Sequence, residues 1–399
     1  MRTERTAEAI IADLGPVADR AEVRAAIDAL GDQGSRWRIP TPSLVVDLDV
    51  FDRNVALMAE RARAAGVALR PHAKSHKTSA LALRQIAAGA AGVCCAKLGE
   101  AEALAARGVG SILVTSPIVG ALAAERAARL ALALPDFALV VDHEDGVAEI
   151  AEAAGKLGAS VAVVIDIDPG LGRTGASSTE QVVAIAQAIG KSAALRFLGV
   201  QCYGGQWQHL AGAEARAAAV HLGMAGLKAT IAALRAAGFE PARITGGGTG
   251  TFAADTAEGV FNERQVGSYA LMDREYRDCL GADPDGAFEQ SLFVQAQVVS
   301  VNAPAWVTVD AGLKALATDG PAPVPAAGGR FTGCHYGFFG DEHGLLVRPK
   351  DAPQVARGER VELVAPHCDP TFDRYDFVYL VRGDALVDIA RVDARGRAQ

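Results

Sequence analysis

Short apolar runs alternate with amphipathic, alanine-rich segments over most of the chain. The runs fall at residues 44–48, 67–70, 92–95, 112–115, 138–142, 161–167, 197–203 and 243–245. Helical spacing fills the stretches between them, among them 51–65, 100–107, 122–134, 146–157, 180–189 and 214–237. Strand and helix in turn predict parallel βα units. About eight units over ~240 residues predict a (β/α)8 TIM barrel, with a doubly wound open sheet as the alternative. From about residue 285 the helical period fades. Residues 292–301, 306–310, 359–364, 377–381 and 385–392 are short, β-rich and separated by Gly, Pro and Asp. They predict a mainly antiparallel β domain. The plan is an N-terminal helical extension at 1–36, an α/β barrel at 37–282 and a C-terminal β domain at 283–399.

Composition narrows the function. At 399 residues, half of them hydrophobic, the chain can build two cores. The net charge of -8 and the lack of a basic stripe argue against nucleic acid as a partner. No run of ~18 uninterrupted apolar residues predicts a membrane span. The opening MRTERTAEAIIADLG carries charges throughout and has no apolar signal core, so a cytoplasmic protein is expected. Cys94, Cys95, Cys202, Cys279, Cys334 and Cys368 follow no CxxC or regular spacing, so neither a disulfide framework nor a zinc finger is indicated.

In a barrel, chemistry sits where strands end. Arg70-Pro71-His72-Ala73-Lys74-Ser75-His76-Lys77 follows the second run. A lysine crowded by cations loses its proton more easily and becomes a candidate Schiff-base nucleophile. On the octapeptide alone, a solvated basic loop is an equally good reading. Lys97, Asp168, Arg173, Tyr203, Gln208 and His209 follow later runs. The segment Thr245-Gly246-Gly247-Gly248-Thr249-Gly250 is a phosphate cradle by type, since glycines let N–H groups approach an anion, with a plain tight turn as the alternative. Ser268 and Tyr269 are placed to complete it. A lysine tether plus an anion cradle is what pyridoxal phosphate requires. Arg173 then suits the pyridine nitrogen, with an ion pair to Asp166 or Asp168 as its structural alternative. In the second domain, Asp341-Glu342-His343 and His367-Cys368-Asp369-Pro370-Thr371 stand out. If 367–369 is extended, His367 and Asp369 share a face and suit a divalent ion, while Cys368 points away. By residue type alone, a polar turn is the commoner outcome.

Together these segments resemble the D-threonine aldolase and D-3-hydroxyaspartate aldolase family, pyridoxal-phosphate enzymes of alanine-racemase-like (fold type III) architecture. The carrying segments are TPSLVVDLDVFDRNV, RPHAKSHK, GVCCAKLGEAE, DPGLGRTG, GVQCYGGQWQHL, TGGGTGTF, VGSYALMD, VDAGLKA, DEHG and HCDPT, from Thr41 to Gly396. The resemblance implies Lys74 as the Schiff-base lysine and His209 as part of the acid/base apparatus. It places His72, Arg173, Tyr203, Gly247, Gly248, Thr249 and Tyr269 at the cofactor, and His367 with Asp369 at a divalent metal. Related dehydratases carry His-x-Cys in the metal segment. A carboxylate at 369 is a harder ligand and suits manganese or magnesium. The implied reaction splits a small D-β-hydroxy-α-amino acid into glycine and an aldehyde. The alternatives are dehydration to an oxo acid and ammonia, and, more remotely, a non-catalytic pyridoxal phosphate carrier. Fold type III also implies a homodimer. Trp207, beside the Gln208-His209 pair, is bulkier than expected there and would restrict the substrate if it faced the site.

Overall fold

The computed structural model describes residues 4–281 and 283–399. From β1 (Ser43–Asp47) the chain passes through the helix Leu48–Ala64 into eight short strands. These are β2 (Ala68–Leu69), β3 (Val93–Cys95), β4 (Ser111–Val114), β5 (Asp136–Val141), β6 (Val161–Ile167), β7 (Leu195–Cys202), β8 (Arg243–Gly246) and β9 (Glu263–Arg264). They form one parallel sheet in the order β2-β9-β8-β7-β6-β5-β4-β3. A parallel bridge between His72 and Cys94 joins its two ends, so the sheet curls into a barrel. The seam is held by Ala91 N–H on the Leu69 carbonyl at 2.7 Å and Cys94 N–H on the Pro71 carbonyl at 2.8 Å.

The second sheet is built from β1 and the C-terminal strands β10 (Leu292–Ser300), β11 (Trp306–Val309), β12 (Val324–Pro325), β13 (His335–Phe338), β14 (Gly344–Val347), β15 (Arg360–Val364), β16 (Phe377–Arg382) and β17 (Ala385–Arg391). Its main path runs β13-β14-β11-β10-β1-β16-β17, and only the β1–β16 pairing is parallel. Two expectations need correcting here. The run at 44–48 is no barrel strand: it lies at the centre of the β domain, between β10 and β16. The eighth barrel strand is β9, two buried charged residues with no apolar pattern to announce it. Glu263 begins β9 and receives Arg70 Nε at 3.0 Å, while Arg70 also reaches Asp136 at 3.1 Å. Glu263, Asp136 and the nearby Arg243 all lie at strand starts, so this ionic network forms the barrel floor. That end of a barrel serves stability.

The N-terminal extension is part of the β domain rather than an appendage. Its helices Ala7–Leu14 and Ala21–Asp28 bury Ile10, Leu14, Val23 and Ile27 against Val45, Tyr379, Val381 and Leu386. Arg36 then grips Glu362 with two bonds of 2.9 Å and Asp47 at 3.0 Å.

The helix Ala213–Ala236 is long and apolar enough by composition to cross a membrane. Here it lies along the barrel, burying Val220, Met224, Leu227, Ile231 and Leu234. Trp207 packs into the same core. A Cβ on Gly223 would lie 2.2 Å from the indole, and one on Gly204 would lie 2.0 Å from it. Trp207 is therefore wedged between two glycines, and no bulky ring narrows the site from this position. Gly223→Ala should lower stability by about 1–3 kcal/mol through overpacking, read as a lower urea midpoint. Gly226→Ala, on the same helix with open space around it, should leave the midpoint unchanged or raise it.

Candidate active site

The catalytic end of the barrel begins at the seam. After β2, the segment 70–78 is fixed along its length. His72 N–H bonds the Val266 carbonyl at 2.9 Å, Ser75 Oγ bonds the His72 carbonyl at 3.1 Å, and buried His76 lies 3.2 Å from Gln85 Oε1. Lys77 adopts φ 52°, and its ammonium reaches Asp373 at 2.8 Å. Lys74, on the short turn Ala73–Ser75, points into a cavity of about 640 Å³ and bonds the Asp369 carboxylate of the β domain.

That contact corrects the expected chemistry of Lys74. The cations nearby in sequence are turned away, Arg70 to the barrel floor and Lys77 to Asp373. Burial alone would lower the ammonium pKa, but Asp369 and Tyr203 outweigh it and the pKa is raised. In this arrangement the lysine is a charged partner of Asp369 rather than an amine neutralised by like charges.

The cavity also gathers His72, Arg173, Tyr203, Gly248, Thr249, Ser268 and Tyr276. Asp168 accepts N–H groups from Gly170, Leu171 and Gly172, and Asp166 accepts Gln201 and Thr174. Neither acid pairs with Arg173, whose guanidinium lies 5.8 Å from the Tyr203 ring centroid. The structural alternative for Arg173 is thus not realised. Lys97 stands exposed at the cavity rim.

Pyridoxal phosphate fits these residues. His72 Nε2 lies 3.0 Å from Thr115 Oγ1, and Thr115 donates its own proton to the Cys95 carbonyl at 3.1 Å. His72 Nε2 is therefore the donor, and Nδ1 is left as a buried acceptor with no partner among the described residues. Burial first, then Lys74, pushes this imidazole down to about 3, so it stays neutral. In the glycine segment, a Cβ on Gly248 would lie 2.3 Å from Gln208 Oε1 and one on Gly247, at φ +72°, 2.3 Å from Asp255. Thr249 accepts Tyr269 N–H at 3.1 Å, which leaves its hydroxyl proton to donate. The short turns Thr249–Thr251 and Ser268–Ala270 both open on the cavity, and the leading N–H of such a turn has no partner inside it. Tyr269, expected near the cradle, meets it through its main chain while its side chain turns away. Its ring packs on Phe288 at 5.6 Å and its hydroxyl accepts Gln85 at 3.0 Å, so only its main chain serves the cradle.

His209 and His367 stand just outside the cavity lining. Gln208 Oε1 accepts Gly250 N–H at 3.1 Å and its amide reaches Thr251 at 3.0 Å, tying the phosphate loop to the turn that carries His209. His209 Nδ1 lies 3.3 Å from Glu275, and the ring meets Tyr276 edge-on at 4.7 Å. Burial lowers the His209 pKa; Glu275 opposes this, and His367 and Lys74 add to it.

His367 and Asp369, the expected metal pair, converge for a different reason from the one the sequence suggests. Residues 367–369 are not strand: His367 is the extended cap of the short helix Cys368–Phe372. The turn into that helix brings His367 Nε2 to 3.9 Å from Asp369 Oδ1 while Cys368 is buried beside Ser268. An ion about 2.1 Å from each atom spans that gap. Among the described residues no group of three or more metal-type side chains is present. Two side chains with water and substrate is the donor set the pair can supply. Asp341, Glu342 and His343 are exposed and lie outside the cavity.

Glu275, Tyr276, Gln201, Gln265 and Asp319 escaped the sequence reading. Beneath the cavity, Gln201 bonds Asp166 at 2.8 Å, and Gln265 bonds Gln201 at 3.0 Å. Burial, with Asp142 adding, pushes Asp166 up to about 6 despite its hydrogen bonds. Between the ordinary carboxylate range and pH 6 the folded state holds a proton that the unfolded state has lost. Stability from this site is present below pH ~4 and is lost as pH rises through about 6. Asp166→Asn should flatten that slope and gain on the order of 1–2 kcal/mol at pH 7, checked by urea unfolding from pH 4 to 7.

The alanine racemase N-terminal domain family matches residues 46–275, and a serine dehydratase domain family matches residues 291–381. The D-threonine aldolase of Arthrobacter sp. is 39% identical over 363 residues, covering 90% of this chain and 93% of that protein. The 3-hydroxy-D-aspartate aldolase of Paracoccus denitrificans (strain Pd 1222) is 37% identical over 364 residues, with the same coverage of each. The crystal structure of D-threonine aldolase from Filomicrobium marinum superposes with a TM-score of 0.87 at 39% identity, covering 90% of this chain and 97% of that one.

Proposed function

The chain belongs to the alanine-racemase-like family of D-threonine and 3-hydroxy-D-aspartate aldolases, and on that premise we propose that it is a pyridoxal-phosphate-dependent carbon–carbon lyase. It cleaves the Cα–Cβ bond of a small D-β-hydroxy-α-amino acid to glycine and an aldehyde. The observation that carries this reading is the meeting of Lys74, from the barrel, with Asp369, from the β domain, on one cavity wall.

Bound pyridoxal phosphate supplies the electron sink for the pair released at Cα. Lys74 would tether it, the Gly248-Thr249 turn and Ser268 would hold its phosphate, and Arg173 would face its ring nitrogen. An arginine there has no proton to give up near neutral pH and leaves that nitrogen unprotonated. His72 Nδ1 waits as an acceptor at the cavity wall. His367 and Asp369 would hold a divalent ion, manganese or magnesium by ligand hardness. His209 takes the β-hydroxyl proton at Nε2, because its Nδ1 faces Glu275. The C–C bond then breaks, the aldehyde leaves, and Cα gains a proton to give glycine. A homodimer is part of this reading and rests on the family resemblance.

The serine dehydratase match to 291–381 favours a second reading, loss of the hydroxyl as water to give an oxo acid and ammonia. Asp369, where those relatives are expected to carry cysteine, weighs against it. Product analysis decides. The protein with pyridoxal phosphate and Mn²⁺ is incubated separately with D-threonine and with D-threo- and D-erythro-3-hydroxyaspartate. Glycine plus an aldehyde supports the lyase; ammonia plus an oxo acid overturns it.

A further inference from the structure

We propose that Asp319 is the positioning residue of the metal site, orienting His367 so that its Nε2, and not its Nδ1, is offered to the ion. This rests on the reading of His367 and Asp369 as metal ligands. His367 Nδ1 lies 2.8 Å from Asp319 Oδ2, and His367 Nε2 faces Asp369 Oδ1 at 3.9 Å. The two ring nitrogens point to different sides of the imidazole. A proton on Nδ1, donated to Asp319, puts the free lone pair on Nε2, on the side of Asp369. A carboxylate behind a ligating imidazole fixes its tautomer and strengthens it as a donor. From behind the ring, Asp319 does not share the ion that Nε2 holds.

The Asp319 side chain is 51% exposed, so the contact could pass for a surface pair. The backbone around it says otherwise. Ala317 N–H bonds Thr371 Oγ1 at 3.2 Å, and Thr371 donates to the His367 carbonyl at 2.7 Å. On the other side of Asp319, a Cβ on Gly320 would sit 3.4 Å from the Pro366 carbonyl oxygen. Residues 317–320 thus lie along the segment that carries His367, held at both ends of Asp319. The arrangement also explains Thr371 in the His367–Thr371 motif: it is the link between the ligand's own main chain and the loop that orients its ring.

The test titrates Mn²⁺ into the metal-stripped holoprotein by calorimetry, for the parent and for Asp319→Ala, Asp319→Asn and His367→Ala. Melting temperatures with chelator present and cofactor absorbance are read alongside. Asp319→Ala should weaken Mn²⁺ binding by about 10- to 100-fold, and Asp319→Asn, which keeps an acceptor, by less. The chelated melting temperature and the absorbance should not move. Parent-like Mn²⁺ affinity in Asp319→Ala, with binding lost in His367→Ala, overturns the role of Asp319 alone. Parent-like affinity in His367→Ala overturns the metal assignment itself, and the role of Asp319 falls with it.

Discussion

Lys74→Arg will fold, will lack the visible absorbance of tethered pyridoxal phosphate, and will lose carbon–carbon cleavage by about 10³-fold or more. Lys74 is the cavity lysine that faces Asp369, and Lys97 stands exposed at the rim, too solvated to replace it. The turn that carries Lys74 is fixed by His72, Ser75, His76 and Lys77, so no neighbouring side chain can swing into its place. A guanidinium keeps the positive charge beside Asp369 but cannot act as a nucleophile at neutral pH. Lys74→Ala is the poorer test, because it leaves the Asp369 carboxylate buried without its cation and mixes loss of chemistry with loss of stability. Absorbance and cleavage retained at an appreciable fraction of the parent values in Lys74→Arg would sink the tether assignment.

The cavity gathers Lys74, Arg173, Tyr203, Thr249 and Asp369 from segments that the sequence singles out; the contacts that surround them are not legible in it. The count of eight barrel strands came out right with one wrong member. Val45 and Val46 are apolar on both faces, and such a strand suits the centre of either sheet, so the pattern alone could not place β1 in the β domain. Glu263-Arg264 carries no apolar signal: Glu263 is buried in the ionic floor with Arg70 and Arg243, while Arg264 is buried over the rings of Phe252 and Phe261. Lys74 was read through its cationic sequence neighbours, but its electrostatics come from Asp369, 295 residues away. The same distance problem hid Glu275 and Asp319, ordinary acids in the sequence that become functional only through the imidazoles they face. Trp207 and Tyr269 show the opposite case, since the sequence leaves both open to face the site. Each is a large side chain beside a functional turn, and packing against Gly223 and Phe288 turned both into the core.

Asp369→Asn will keep the cofactor absorbance and lose cleavage by about 10²-fold or more, a profile opposite to that of Lys74→Arg. Asp369 faces Lys74 on one side and His367 on the other. Burial opposes its charge, yet Lys74 and His367 hold its pKa below the usual carboxylate range, so the native site contains the anion. Asparagine keeps the shape and one acceptor but removes the charge that a hard divalent ion requires. The phosphate cradle does not depend on Asp369: Thr249, Gly248 and Gln208 are organised by their own bonds. Cofactor binding therefore survives, Mn²⁺ affinity falls, and cleavage falls with it. The measurement is the cleavage rate of each variant with Mn²⁺ and with chelator, beside its absorbance spectrum. If Asp369→Asn cleaves at the parent rate in chelator, the β domain supplies no ion to the reaction, and proton transfer at His209 would have to act on a β-hydroxyl that no cation has acidified.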